Sequence, residues 1–210
     1  MITIVDYGLG NIAAFLNMYK RLNIPARAVQ TAAELATAER IVLPGVGAFD
    51  YAMDLLDASG MRETLDEMVT QKKVPVVGIC VGMQILLDGS DEGTREGLGW
   101  VPGRTRAFAT RNDMEGLPLP HMGWNDVTPG SGRVLFDALD EDPRFYFLHS
   151  YYVEPAEQSD VAATAHYGFD FACAIHRDNV WGVQFHPESI RSDHGHQMLQ
   201  NFLNNVKVPA

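Results

Sequence analysis

Cysteine is almost missing from this chain: only Cys80 and Cys173 occur in 210 residues. They lie far apart, in no metal-ligand spacing, and two thiols cannot supply a disulfide framework. Cations are also scarce. Lys and Arg total 16 against 27 Asp and Glu, a formal net charge of −11, which argues against the basic surface that nucleic-acid binding needs. No apolar run approaches the roughly 20 residues of a membrane span, so no membrane partner is expected. The opening "MITIVDYG" enters a strand-like pattern with no basic region, so neither a secretory signal nor a transit peptide is expected. A cytoplasmic setting with reduced thiols follows as the expectation. The seven histidines are scattered, and the close pair His194 and His196 has no cysteine or acidic cluster beside it. No metal site and no cofactor are expected.

What is present is balance. Hydrophobic residues make up 46% and charged residues 20% of the chain, the proportions of a globular protein. The length suits one well-buried domain, expected to span residues 1–210. Short apolar runs alternate with amphipathic ones through the first 90 residues. Strands are predicted at 2–6, 26–30, 40–45 and 74–79, with helices at 11–22 and 31–39 and helical material from 49 to 73. Thr31 and Glu34 have capping-box spacing. The run "VPVVGI" is apolar almost throughout, as a strand buried on both faces should be. From residue 98 to 135 the chain turns rich in Gly and Pro, and further strands are predicted at 144–153, 171–176 and 179–186 before a helix at 196–206. The fold class expected is α/β: an open, mostly parallel central sheet flanked by helices, with a partly antiparallel extension.

Ligands of such sheets sit beyond the carboxyl ends of the strands. Cys80 falls at such an end, and Gly78-Ile79-Cys80-Val81-Gly82 has the shape of a nucleophile elbow with sulfur in place of oxygen. The glycines are needed because strand and following helix must cross closely. That helix turns its positive end to the sulfur, which favours the thiolate, and the Val81 N–H is free to meet an oxyanion. The alternative is a small buried hydrophobe, the reading preferred for Cys173 in "FACAIH". A thiol nucleophile needs a base. In "GVQFHPES", His186 ends an apolar strand and Glu188 stands two residues on, placed to orient the ring if the turn brings it back. A strand-end histidine beside a solvated glutamate remains the alternative. In "LPGVGAF", Gly45 and Gly47 around Val46 make a flexible backbone that can offer N–H donors to an oxyanion, or merely a strand-to-helix turn.

"PGVGAF", "GICVGMQ" and "GVQFHPES", in that order over nearly the whole chain, resemble the class I (triad) glutamine amidotransferases. The resemblance implies Cys80 as nucleophile, His186 as general base and acid, and Glu188 as its orienting carboxylate. "DYGLGN", "PHMGWN" and "YFLHSYY" further resemble the glutaminase-subunit branch found in imidazole glycerol phosphate synthases of histidine biosynthesis. By that likeness the backbone from Gly45 to Gly47 helps form the oxyanion hole, and Gln84, Glu92, His149, Ser150 and Tyr151 line a glutamine pocket. Asn11, Trp124 and Tyr146 would face a (β/α)8-barrel cyclase/synthase subunit in a heterodimer. Low activity alone and activation by the liganded partner are also implied. Amide hydrolysis needs acid and base from one residue, so an imidazole titrating near neutrality is expected at position 186.

Two positions depart from the branch: Ser189 follows Glu188 where a lysine is usual, and Val81 replaces the commoner leucine. "HPESIRSDHG" is instead similar to anthranilate and para-aminobenzoate synthase glutaminases. The second reading is therefore a paralogue supplying ammonia for amidino-sugar assembly in surface polysaccharides. A free-standing cysteine hydrolase of the same fold, or a catalytically silent partner protein, are further alternatives. "DYGLGNIA" also matches a dinucleotide fingerprint at Gly8, Gly10 and Ala13. The only acidic residue near the second strand's end, Glu34, looks committed to a helix cap, so nucleotide binding is set aside.

Overall fold

The computed structural model describes residues 1–130, 133–140, 142–189 and 192–207. Its first half is built from strands buried on both faces. β1 (Ile2–Val5) is buried at every position, and α1 (Ile12–Arg21) starts where the Asn11 side chain accepts a hydrogen bond from the Ala14 N–H at 3.1 Å. β2 (Ala26–Val29) and the short α2 (Ala32–Leu35) lead to β3 (Arg40–Gly45). Then come α3 (Phe49–Ala58), α4 (Arg62–Asp66), a π-helical turn at Glu67–Gln71, the fully buried β4 (Val76–Cys80) and the single turn α5 (Val81–Gln84).

The second half is mostly strand: β5 (Gly89–Ser90), β6 (Gly103–Ala107), β7 (His121–Pro129), β8 (Arg144–His149), β9 (Tyr151–Pro155), β10 (Val161–Tyr167), β11 (Phe169–Arg177) and β12 (Val180–Val183). α6 (Asp193–Asn204) follows, capped by Ser192, whose hydroxyl accepts from the Gly195 N–H at 2.9 Å. The sheet runs β2-β1-β3-β4-β12-β11-β10-β7-β8, with β9 joining β11 and β6 joining β9 and β5. The first five strands of that order are parallel to their neighbours, while β11, β10, β7 and β8 continue it antiparallel. This is the expected α/β architecture. Among the described residues no helix is long and apolar enough to cross a membrane.

Boundaries differ where local chemistry intervenes. The second helix stops after one turn because Thr37 donates back to the Glu34 carbonyl at 2.9 Å and the chain turns into β3. Glu34 does cap that turn, with Thr31 donating to its carboxylate at 2.9 Å. Helical material after Phe49 breaks at Gly60, whose φ is +71°. The strand expected over 144–153 divides at Ser150, and β10 was not anticipated. The last helix begins at Asp193, three residues before the expected 196, and the pair His194 and His196 lies at its start, as a reading of "DHGH" as the helix opening expects.

Register explains how the site assembles. Gly45 of β3 lies opposite Cys80 of β4, and Val183 of β12 lies opposite Ile79. Three parallel strands thus deliver "PGVG", Cys80 and His186 to one edge.

Candidate active site

Cys80 occupies a conformation that only a constrained turn holds: φ is +56° and ψ −115°. Such backbone strain in a non-glycine residue costs on the order of 1–3 kcal/mol. The surrounding glycines fix it by close approach. A Cβ on Gly82 would stand 2.0 Å from the Leu43 carbonyl oxygen, one on Gly78 2.4 Å from the Gly82 oxygen, and one on Gly45 2.4 Å from the Gly82 nitrogen. No side chain fits any of the three gaps. Val81 opens α5, so its N–H has no partner within the helix. That helix is a single turn, far short of a long dipole.

Cys80 and His186 line one cavity of about 330 Å³, together with Val46, Gly47, Val81, Gln84, Glu92, His149, Ser150 and Tyr151. Gly45 is not among the lining residues; it is buried beneath the elbow. Cys173 is wholly buried elsewhere, and burial pushes its thiol pKa up. Gly47, at φ +94°, leaves the backbone beside Val46 open on the cavity.

The His186 Nδ1–H donates to Glu188 Oε1 at 2.9 Å, with both residues largely buried. The other ring nitrogen is left to meet Cys80. Burial alone would lower the imidazole pKa. Cys80 beside the ring, and Glu188 hydrogen-bonded to it, outweigh burial and push the value up to about 10. The direction is upward from the near-neutral value expected for this ring, because Glu188 on Nδ1 favours the protonated form.

The pocket wall is also hydrogen-bonded. Glu92 Oε2 accepts from the Phe49 N–H at 2.8 Å, so its carboxylate both borders the cavity and caps α3, whose Ala48 offers no side-chain cap. Burial, then the charges of Glu92 and Asp91, raise the Tyr151 hydroxyl pKa. Gln84 donates to Gln184 Oε1 at 3.0 Å, and the Gln184 amide donates to the Cys80 sulfur at 3.5 Å. Gln184 is a site residue that no motif in the sequence marks. The available signal was a polar amide inside the apolar run "VWGVQFH", two residues before the histidine. Tyr7 is unmarked as well: its buried hydroxyl donates to the Pro44 carbonyl at 2.8 Å, just below the "PGVG" backbone.

Asn11, Trp124 and Tyr146 line a second cavity of about 410 Å³ together with His186, Glu188 and Ser189. Trp124 and Tyr146 meet edge to face at 5.9 Å. Met122, Trp124 and Leu148 are exposed nearby on β7 and β8. Among the described residues no group of three or more His, Cys, Asp or Glu could hold a metal ion.

The family model for glutamine amidotransferase class-I matches residues 3–206. The chain belongs to the class I glutamine amidotransferase family. Among curated proteins, this amidotransferase is 57% identical over 202 residues to the imidazole glycerol phosphate synthase subunit HisH of Bdellovibrio bacteriovorus, covering 96% of this chain and 98% of that one. The subunit of the same name from Leptospira interrogans is 49% identical over 203 residues, at the same coverage. A solved structure described as a glutamine amidotransferase superimposes with a TM-score of 0.75 at 17% identity, covering 98% of each chain, which shows the fold.

Proposed function

We infer that this amidotransferase is the glutaminase subunit of an imidazole glycerol phosphate synthase in histidine biosynthesis. It hydrolyses glutamine to glutamate and ammonia. The ammonia passes to a (β/α)8-barrel cyclase partner, in a heterodimer, that makes imidazole glycerol phosphate and AICAR. The observation that carries the reading is Cys80 and His186 lining one cavity, with Glu188 hydrogen-bonded to the His186 ring, in a chain that matches a HisH subunit over 96% of its length. We read residues 1–210 as one domain, with the family match over 3–206 in support. Cytoplasmic placement belongs to the same proposal, since two unpaired buried thiols suit a reducing compartment.

In the reaction, the Cys80 sulfur attacks the side-chain amide carbon of glutamine and a C–S bond forms. The carbonyl electrons move to oxygen, where N–H groups of the Val46–Gly47 backbone and of Val81 would hold the oxyanion. Collapse breaks the C–N bond, and His186 hands its proton to the departing ammonia. The raised pKa suits this order of events: the ring enters as an acid. Two of the causes that raise it belong to Cys80. Acylation removes the sulfur's charge, so the ring, now neutral, can take a proton from water. Hydroxide attack on the thioester breaks the C–S bond, releases glutamate and returns the proton to the His186–Cys80 pair. Glu188 holds the ring through Nδ1 throughout.

The cavity bordered by Asn11, Trp124 and Tyr146 reaches His186 and Glu188 from a second direction, which supports a docking face there for the synthase partner. The amidino-sugar paralogue remains as the second reading, favoured by Ser189 standing at that cavity where the branch usually has lysine. The test is Cys80→Ala in the complex with the cyclase. Glutamine-dependent turnover should vanish while turnover driven by added ammonium persists. Retained glutamine hydrolysis would remove Cys80 from the mechanism. A cyclase that shows no turnover with either nitrogen source would move the choice to the second reading.

A further inference from the structure

We propose that His121 is a positioning residue for this active site, the inner link of a hydrogen-bond chain that ties strand β7 to the Cys80 sulfur. The inference rests on the glutaminase reading and deepens it. The chain has no gap. Asn125 Nδ2 lies 3.3 Å from His121 Nε2, and His121 Nδ1 lies 2.9 Å from His149 Nε2. His149 Nδ1 stands 2.7 Å from the Tyr151 carbonyl oxygen. Gln84 Nε2 reaches the same oxygen at 3.5 Å and Gln184 Oε1 at 3.0 Å, and Gln184 Nε2 ends the chain on Cys80 Sγ at 3.5 Å.

Chemistry fixes the direction of each link. A carbonyl oxygen only accepts, so the His149 Nδ1 carries the hydrogen; burial favours the neutral ring, whose Nε2 then accepts from His121 Nδ1–H. His121 Nε2 then accepts from the Asn125 amide, whose other hydrogen goes to the His166 carbonyl at 2.9 Å. Both rings are therefore neutral and in the Nδ1–H form. Protonating His149 would set two N–H groups against each other. Burial agrees, pulling the pKa of His121 to about 4 and of His149 to about 3.

Rotation is blocked as well. His121 stacks on Phe147 at 4.9 Å and on Tyr167 at 4.1 Å, near parallel to both. Along β7 the inward positions carry His121 and Asn125, while Met122 and Trp124 point out and are exposed. Pressure on the outer face thus bears on a strand whose inner face holds the links. At the other end, both Gln84 amide hydrogens are engaged, one on the Tyr151 carbonyl and one on Gln184, so this pocket residue is oriented by the same chain.

Two substitutions at position 121 separate this role from packing. Phenylalanine keeps the ring stack and loses both nitrogens; asparagine loses the stack and keeps an N–H near the Nδ1 position. In the complex with the synthase partner, His121→Phe should lower glutamine kcat/KM by roughly 2–10-fold, the scale of one lost supporting hydrogen bond. His121→Asn should retain clearly more activity than His121→Phe, and ammonium-driven turnover should be unchanged in both. In a cycle with Gln184→Met, the double variant should lose less than the product of the single losses, because one chain is being cut twice. If phenylalanine is tolerated better than asparagine, or if the losses multiply, His121 only packs and the proposal is overturned. Should His121→Phe fail to fold, His121→Asn with Gln184→Met runs the same cycle. Absence of glutamine turnover in the wild-type complex with a working ammonium reaction would instead sink the glutaminase reading, and this inference with it.

Discussion

The two ends of the candidate triad are held by different means. Cys80 is fixed by its own backbone, at positive φ, with three glycines that admit no side chain pressed around it. His186 is fixed by partners: Glu188 on its ring and the Tyr146 carbonyl on its backbone N–H at 2.9 Å. Steric fixation is unforgiving and local, so a single added methyl should break it. Fixation by hydrogen bonds is graded and spread over distant residues, so cutting one bond should weaken chemistry while leaving the fold.

Gly82→Ala tests the first half of that contrast and should have the largest effect. The new methyl would overlap the Leu43 carbonyl oxygen in a packed elbow, where overpacking costs about 1–3 kcal/mol or more. Urea denaturation should show the loss, with glutamine turnover gone even in the protein that still folds. Glu188→Gln tests the second half. Stability should change little, while glutamine kcat falls by about 10²–10⁴, since the neutral amide neither fixes the ring's tautomer nor balances its charge. Circular dichroism alongside steady-state kinetics would separate the two outcomes, and equal stability losses in both variants would erase the distinction.

Acid should act on the pocket wall more gently. The pKa values of His121 and His149 are depressed in the folded chain to about 4 and 3, so the unfolded chain binds more protons below about pH 6.5. The stability they contribute is present above that pH and is lost as pH falls toward 4. The glycine contacts of the elbow carry no titrating atom. Urea midpoints should therefore drop between pH 6.5 and 4.5, with the drop reduced when both histidines are replaced. Tyr7→Phe is the smallest change. It removes a bond to the Pro44 carbonyl and should cost about 0.5–1.5 kcal/mol, with a modest fall in glutamine turnover.

The same contrast decided what could be read from the sequence. The elbow was legible because its requirements are neighbours: Gly78, Cys80 and Gly82 sit within five positions, and the apolar runs of β3 and β4 place them. β3 was anticipated residue for residue over 40–45, and β4 within two. His186 and Glu188 could be named only as candidates, because their meeting with Cys80 depends on β12 lying beside β4 in the sheet. Gln184, and any role for His121 within "PHMGWN", stay unassigned for the same reason. Gln84 and Gln184 stand 100 positions apart, and His121 and His149 stand 28 apart. β10 escaped because "VAATAHY" buries only small Ala163 and Ala165 and shows no strong apolar alternation. The division of residues 144–153 at Ser150 left no trace in hydrophobicity, yet that bend puts Ser150 and Tyr151 on the cavity.

Peptide mapping after treatment with a glutamine-shaped chloroketone tests the account most directly. Only two thiols can be alkylated, and one of them is wholly buried. The account predicts one adduct per chain, on Cys80, slowed by excess glutamine and by Glu188→Gln. An adduct on Cys173, or a Cys80 adduct that glutamine does not slow, would contradict it.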